Sequence, residues 1–193
     1  MNRAQKREHL IEVASELFKR LGYHAAGVDR VIAEAGIAKT TLYRHFGSKE
    51  GLIVEVLRRI DEKSRDDMRR TVEAARDPRR RLLATFDYLE NWFKEKTFYG
   101  CPFMGAASEY NTRASPVFQE AMLHKRLVIA YFEELARAAG LRSPKRVAEE
   151  VNLLHEGATA VAQITGDPST ARRAKDLAAR LIEEGSSDSR SNG

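Results

Sequence analysis

The placement of proline constrains this chain more than any other feature. Four of the five prolines follow Asp or Ser, at Asp77-Pro78, Ser115-Pro116, Ser143-Pro144 and Asp167-Pro168. A side-chain oxygen at the N-cap accepts an orphan backbone N–H, and proline at the next position brings the helical φ with it, so each pair predicts a helix start. The apolar residues that follow recur at helical spacing: Leu82, Phe86, Leu89 and Phe93; Phe118, Met122, Ile129 and Phe132; Val147, Val151, Leu154, Ala158 and Val161; Ala171, Ala174, Leu177, Ala178 and Leu181. No stretch of useful length alternates as a half-buried strand would. The expected class is all-α.

The first third carries three shorter apolar stripes, each closed by glycine. Leu10, Val13, Ala14, Leu17, Phe18 and Leu21 stop at Gly22; Val28, Val31, Ile32 and Ala35 stop at Gly36; Leu42 and Phe46 stop at Gly47. Ser48 then caps a fourth helix with Leu52, Ile53, Val56, Leu57 and Ile60 as its apolar set, running to about Ala75. Its segment 61–67 is polar on every side, the pattern of a helix that bridges two bodies through solvent, and places a domain junction there. The expected organisation is a trihelical domain over residues 1–60, a helical domain over 61–184, and a disordered Ser/Gly-rich tail over 185–193.

Composition removes several classes. At 42% hydrophobic and 32% charged over 193 residues, the chain is too apolar for a disordered polyelectrolyte. A single Cys excludes an intramolecular disulfide and cysteine-built zinc sites, which suits a reducing cytosol. The longest apolar run, Leu127 to Phe132, falls far short of the roughly 18 to 20 residues of a membrane span, and residues 1–7 are polar where a signal peptide is not. The chain reads as cytoplasmic, with no membrane partner. It carries no phosphate-loop, dinucleotide, nucleophile-elbow or zinc-protease motif, so no catalytic residue, cofactor or metal is expected. Its five histidines show no ligand spacing, and the lone Cys101, flanked by Gly100 and Pro102, reads as a buried thiol or as a sensor.

Net charge is +5, and residues 1–60 hold 11 basic against 7 acidic side chains. That excess fits either scattered solvated faces or a nucleic-acid partner. Residues 28–46, VDRVIAEAGIAKTTLYRHF, read as two short helices around a turn at Ala35, Gly36 and Ile37, which is either a simple helical corner or a helix-turn-helix. The second helix, about Ala38 to His45, turns Leu42 and Phe46 inward and leaves Lys39, Thr40, Thr41, Tyr43, Arg44 and His45 outward. Arg suits guanine acceptors, Thr a base edge, and Lys and Tyr phosphates. Lys49, at the start of the next helix, stands beside free N–H groups that could hold another phosphate.

Phe18, Gly22-Tyr23, Val28-Asp29, Ala35-Gly36, Lys39-x-Thr41-Leu42-Tyr43-x-His45-Phe46, Ser48-Lys49-Glu50 and Leu52 together closely resemble the N-terminal domain of TetR-family transcriptional regulators. The resemblance implies that Lys39, Thr40, Thr41, Tyr43, Arg44, His45 and Lys49 line the DNA-facing surface, with Tyr43, His45 and Lys49 at backbone-contacting positions. Where the family commonly caps the second helix with Thr or Ser, this chain has Ala26-Gly27, and that hydroxyl contact is missing. GCPFMGAASEY, residues 100–110, also looks like a segment of one branch of TetR-like C-terminal domains.

The family architecture further implies a homodimer built by the last two helices, about Pro144 to Thr165 and Pro168 to Glu184. Candidate interface residues are Leu154, Gly157, Ala158, Val161, Leu177 and Leu181, the alternative being that the small residues here pack within one subunit. An aromatic and Met-rich set either lines an effector pocket or forms core. The pocket candidates are Phe86, Trp92, Phe93, Phe103, Met104, Glu109, Tyr110, Phe118, Met122 and His155. The expected function is a DNA-binding regulator, by family default a repressor, released from a palindromic double-stranded operator by a small apolar or amphipathic effector. Its long fourth helix would be the mechanical link. The alternatives are an activator or architectural DNA binder without an effector, and a helical scaffold or small enzyme.

Overall fold

The computed structural model describes residues 1–187, and among them every regular element is an α-helix. In chain order these are α1 (Arg3–Leu21), α2 (Val28–Ala35), α3 (Lys39–Phe46), α4 (Lys49–Glu73), α5 (Pro78–Phe93), α6 (Pro102–Glu109), α7 (Pro116–Ala138), α8 (Pro144–Thr165) and α9 (Thr170–Ser187). The all-α expectation holds. The helices form two compact units, one of Met1–Lys63 with Cys101–His124, the other of Ser64–Gly100 with Lys125 onward, so α4 and α7 each contribute to both.

In the first unit α1, α2 and α3 pack on one another. Leu10, Ala14, Leu17, Val31, Leu42, Leu52, Ile53 and Leu57 are wholly or almost wholly buried. Asn2 and Gln5 close a reciprocal capping box at the start of α1, at 2.8 and 2.9 Å. Ser48 Oγ accepts the Gly51 N–H at 3.0 Å and starts α4.

Cys101–His124 lies in this first unit, whereas the sequence pattern places it in a second body over residues 61–184. Two side-chain contacts explain the difference. His124 Nδ1 stands 2.6 Å from Asp61 Oδ1, with the Phe103 ring stacked on the imidazole at 3.6 Å between centroids. Asp61, expected on a segment solvated on every side, is therefore buried. The helix α6 was itself not anticipated: its start at Cys101-Pro102 lacks the Asp or Ser that marks the others.

In the second unit α5 packs against α8 and α9. Lys175 Nζ bridges both oxygens of Asp87 at 2.6 and 2.7 Å, and Arg172 reaches Glu90 at 2.9 Å, which sets α5 and α9 antiparallel. The core gathers Phe86, Phe132, Leu82, Leu89 and Val151 with Ala158, Ala162, Ala171 and Ala178. These alanines let backbones approach closely.

The proline signals start α5, α7 and α8 where expected, but not always by the expected bond. Asp77 accepts the Arg80 N–H at 2.9 Å. Ser143 instead takes a left-handed conformation, φ 52, and its hydroxyl caps nothing. Asp167-Pro168 begins a turn, and α9 starts two residues later at Thr170, because Asp167 Oδ1 accepts from Ser169 N at 2.9 Å. α9 runs to Ser187, past the boundary expected for a tail, and residues 188–193 of that expectation lie outside the described residues.

Candidate nucleic-acid interface

The α2–α3 corner follows from its residues. Gly36 takes the left-handed conformation, φ 62, that lets the Ile37 N–H turn back to the Ile32 carbonyl at 3.1 Å while Gly36 N–H reaches Ala33 at 3.3 Å. This double closure ends α2 and buries Ile37 beneath the turn. Ala38, extended, then opens α3, and Leu42 at its centre has no exposed surface. With Leu42 fixed inward, Lys39, Thr40, Tyr43 and Arg44 are exposed.

Thr41 and His45, read from the sequence as outward, are half-buried on one flank of α3, and Lys49 is half-buried at the start of α4. Phe46 is only partly covered, with the Arg7 guanidinium 5.6 Å above its ring. The sequence pattern did not anticipate that the charge of Arg3, in the first turn of α1, acts on His45. A basic residue in the first turn of a helix that otherwise reads as core carries no pattern of its own.

The electrostatics favour an anion. Lys39 Nζ donates to Asp29 at 2.8 Å, a hydrogen bond that raises its pKa above the ordinary lysine value. An exposed pair of this kind is worth little and can exchange for a phosphate. Arg44 has no ion pair among the described residues. His45 is held below its ordinary value, first by desolvation and then by Arg3, Arg7 and Arg44, which favours the neutral ring, and a neutral imidazole still donates an N–H. Lys49 is lowered by desolvation, which the nearby Glu109 charge opposes, and its Nζ donates to the His24 carbonyl at 3.1 Å.

The ten pocket candidates are divided between the two units. Phe86, Trp92, Phe93 and His155 belong to the second unit, where Phe86 and Phe132 each hold their ring 5.1 Å from that of His155 in the core. Phe103, Met104, Glu109, Tyr110, Phe118 and Met122 belong to the first. There Phe103 covers His124, Tyr110 stacks on His24, and both carboxylate oxygens of Glu109 bind backbone N–H groups. Glu109 is thereby committed to main chain and unavailable as a pocket fixture. The second unit has a small cleft lined by Met68, Arg69, Leu127 and Tyr131 among others, with the Arg69 guanidinium 5.6 Å over the Tyr131 ring. None of the ten lines it.

The six interface candidates also divide. Ala158 is buried in the core of its own unit and Leu154 packs against that core. Gly157 opens to empty space, Val161 and Leu177 are about half exposed at 46% and 47%, and Leu181 is half-buried. The sequence pattern missed Leu153, 71% exposed, and Ile164, 86% exposed. These stand on the same α8 face as Gly157 and Val161 by helical spacing, and neither belongs to the apolar stripe of the sequence.

Three packed helices with a glycine-closed corner between the last two, the last of them exposing lysine, threonine, tyrosine and arginine, define a helix-turn-helix protein. Residues 10–56 match the family model for bacterial regulatory proteins of the tetR family, and residues 78–178 match that for the tetracyclin repressor-like C-terminal domain. The chain belongs to the tetR family of bacterial regulatory proteins, which are transcription regulators and not enzymes.

It is 32% identical over 145 residues to the HTH-type transcriptional activator FasR of Mycolicibacterium smegmatis, in an alignment covering 73% of this chain and 64% of the activator. The chain thus spans just under two thirds of that relative. It is 28% identical over 161 residues to the HTH-type transcriptional regulator LmrA of Bacillus subtilis, covering 81% of this chain and 86% of LmrA. A crystal structure of a TetR-family transcriptional regulator from Streptomyces coelicolor superposes with a TM-score of 0.87 at 25% identity, covering 95% of this chain and 97% of that one. Among the described residues no helix is long and apolar enough to cross a membrane.

Proposed function

We propose that this chain is a homodimeric regulator that seats α3 of each subunit in a major groove of a palindromic operator, and that a small apolar or amphipathic effector releases it. The observation that carries the reading is the exposed set Lys39, Thr40, Tyr43 and Arg44 on a helix pinned by the buried Leu42. Arg44 offers two parallel donors to a guanine, Thr40 a hydroxyl or methyl to a base edge, and Lys39, Tyr43 and Lys49 donors to phosphates. Thr41 and His45 contribute from the flank of the same helix.

Leu153, Val161 and Ile164, which share one face of α8 by helical spacing, support the homodimer, because large exposed apolar side chains grouped on one face ask for a partner, and Leu177 on α9 is about half exposed as well. Two-fold symmetry then calls for half-sites about 34 to 36 Å apart, or a multiple of that spacing. An effector that binds better to the form with misplaced recognition helices weakens DNA binding by the factor with which DNA weakens its own. Repression is the default sign for such a device. Activation is the second reading, favoured by the relative named as a transcriptional activator.

The test is selection of duplexes from a random-sequence pool, followed by binding in a salt series with unrelated DNA as competitor. Saturable binding to a palindrome, weakening log-linearly with salt, is expected. Binding no tighter than to the competitor would overturn the reading. Thermal-shift screening against apolar and amphipathic compounds then separates an effector-controlled protein from one that needs none.

A further inference from the structure

The helix α6 lies in the same compact unit as the helix-turn-helix, and it is fastened to the α1–α2 turn at both of its ends. At the C-terminal end Glu109 Oε1 accepts the Tyr23 N–H at 2.8 Å and Oε2 accepts the His24 N–H at 2.6 Å. The His24 Nε2 donates to the Glu109 carbonyl at 2.9 Å, and its ring stacks on Tyr110 with centroids 4.6 Å apart. At the N-terminal end the Tyr23 hydroxyl donates to the Pro102 carbonyl at 3.0 Å.

Two successive backbone N–H groups sharing one carboxylate form a charge-assisted, bidentate contact, among the stronger hydrogen-bond arrangements. The two N–H groups fall after the end of α1 and before the start of α2, where neither helix supplies an acceptor. The approach depends on Gly22, φ +83: a Cβ there would stand 3.0 Å from Glu109 Oε1.

The same turn faces the candidate DNA surface through its carbonyl. Lys49 Nζ donates to the His24 carbonyl at 3.1 Å. The carboxylate of Glu109 therefore holds the main chain whose own oxygen holds the ammonium of Lys49. We propose that Glu109 is a positioning residue for operator binding, fixing Lys49 as a phosphate contact by way of the Tyr23–His24 backbone. The inference rests on the reading of Lys49 as a phosphate contact.

A double-mutant cycle between Glu109→Gln and Lys49→Ala tests it, on a duplex selected by the wild-type protein from a random pool. Glu109→Gln should weaken binding about tenfold in the wild-type background, the size expected for losing part of a charge-assisted contact. In the Lys49→Ala background it should add nothing. No loss in the wild-type background overturns the proposal, and so does an equal loss in both backgrounds, which is what a general loosening of the fold produces.

Hydrogen exchange of the Tyr23 and His24 amides, measured without DNA, should be faster in Glu109→Gln, and unchanged rates would overturn the contact itself. Should Glu109→Gln fail to fold by circular dichroism, Glu109→Asp carries the same cycle, since it keeps the charge and withdraws it by one methylene. Tyr43→Ala with Arg44→Ala is measured in parallel. If that pair binds as tightly as wild type, the recognition-helix reading fails, while the coupling between Glu109 and Lys49 is still read from the cycle.

Discussion

The Nε2 of His155 lies 3.1 Å from the main-chain carbonyl of Thr85, a contact in which only the ring nitrogen can donate. The imidazole sits between the rings of Phe86 and Phe132, and this desolvation pushes its pKa down to about 3, against the Thr85 bond that favours the charged form. The native state therefore keeps His155 neutral, while the unfolded chain protonates near its ordinary value of about 6.5. Between those two values the unfolded state holds more protons. The His155 contribution is fully present above pH 6.5 and is lost as pH falls, by about 1.4 kcal/mol per unit, or about 2 kcal/mol at pH 5. Denaturant melts of wild type and His155→Gln at pH 7 and pH 5 check this: the wild type should lose that much more stability than the variant. An equal loss would place the proton elsewhere.

Lys39 and Arg44 should fail differently when removed. Lys39→Ala takes away a phosphate contact, weakening binding to all duplexes about equally and lowering the slope of log affinity against log salt by about one. Arg44→Ala removes a base-edge contact, costing about 1 to 3 kcal/mol on the selected duplex and relaxing selectivity at one position of each half-site. Salt titrations with selected and scrambled duplexes read both. An unchanged slope in Lys39→Ala would take that residue off the phosphate backbone.

Gly51, in the first turn of α4, meets the end of α3 closely: a Cβ there would collide with the Phe46 carbonyl oxygen. Main chain cannot swing aside as a side chain does, so Gly51→Ala should cost about 1 to 3 kcal/mol by the measure of an overpacked site. The variant should also bind the selected duplex more weakly, since the displaced backbone is that of α3. Thermal melting and the binding isotherm report the two effects together. A variant with wild-type melting would show that the α3–α4 turn relaxes without cost.

Much of this fold is legible because its signals are local. Gly22, Gly36 and Gly47 end helices by their own positive φ, and Pro78, Pro116 and Pro144 open helices at the residues they occupy. What escaped reading depends on contacts distant in sequence. Nothing near Glu109 announces that its carboxylate binds the backbone 86 and 85 residues earlier. Asp61 looked solvated because its partner, His124, is 63 residues away. On α8 the helical period identified an apolar stripe but could not divide it, since Leu154 and Ala158 face inward while Leu153 and Ile164 stand one residue or turn aside. The candidate DNA face was legible for the opposite reason: it lies on α3 and the first turn of α4, adjacent in sequence, where spacing and side chemistry are read together.

Leu153 and Ile164 provide the separation needed to test the proposed dimer without harming the subunit. Both are large, apolar and mostly exposed, at 71% and 86%, so neither contributes much to the core of its own unit. On α8 they flank Gly157, where a Cβ would meet nothing within 4 Å, and the half-exposed Val161. Burying such a face against its two-fold copy returns roughly 25 cal/mol for each Å² of apolar surface removed from water. Replacing both residues by Glu would oblige each interface to bury carboxylates without partners, which costs several kcal/mol. Leu153→Glu with Ile164→Glu should therefore sediment as a 21.8 kDa monomer, with the helical circular dichroism of wild type, and the wild type should sediment at twice that mass. Binding to the palindrome should fall steeply while binding to a single half-site is retained, because the two α3 helices are no longer delivered together. A double variant that stays dimeric would move the interface away from this face of α8.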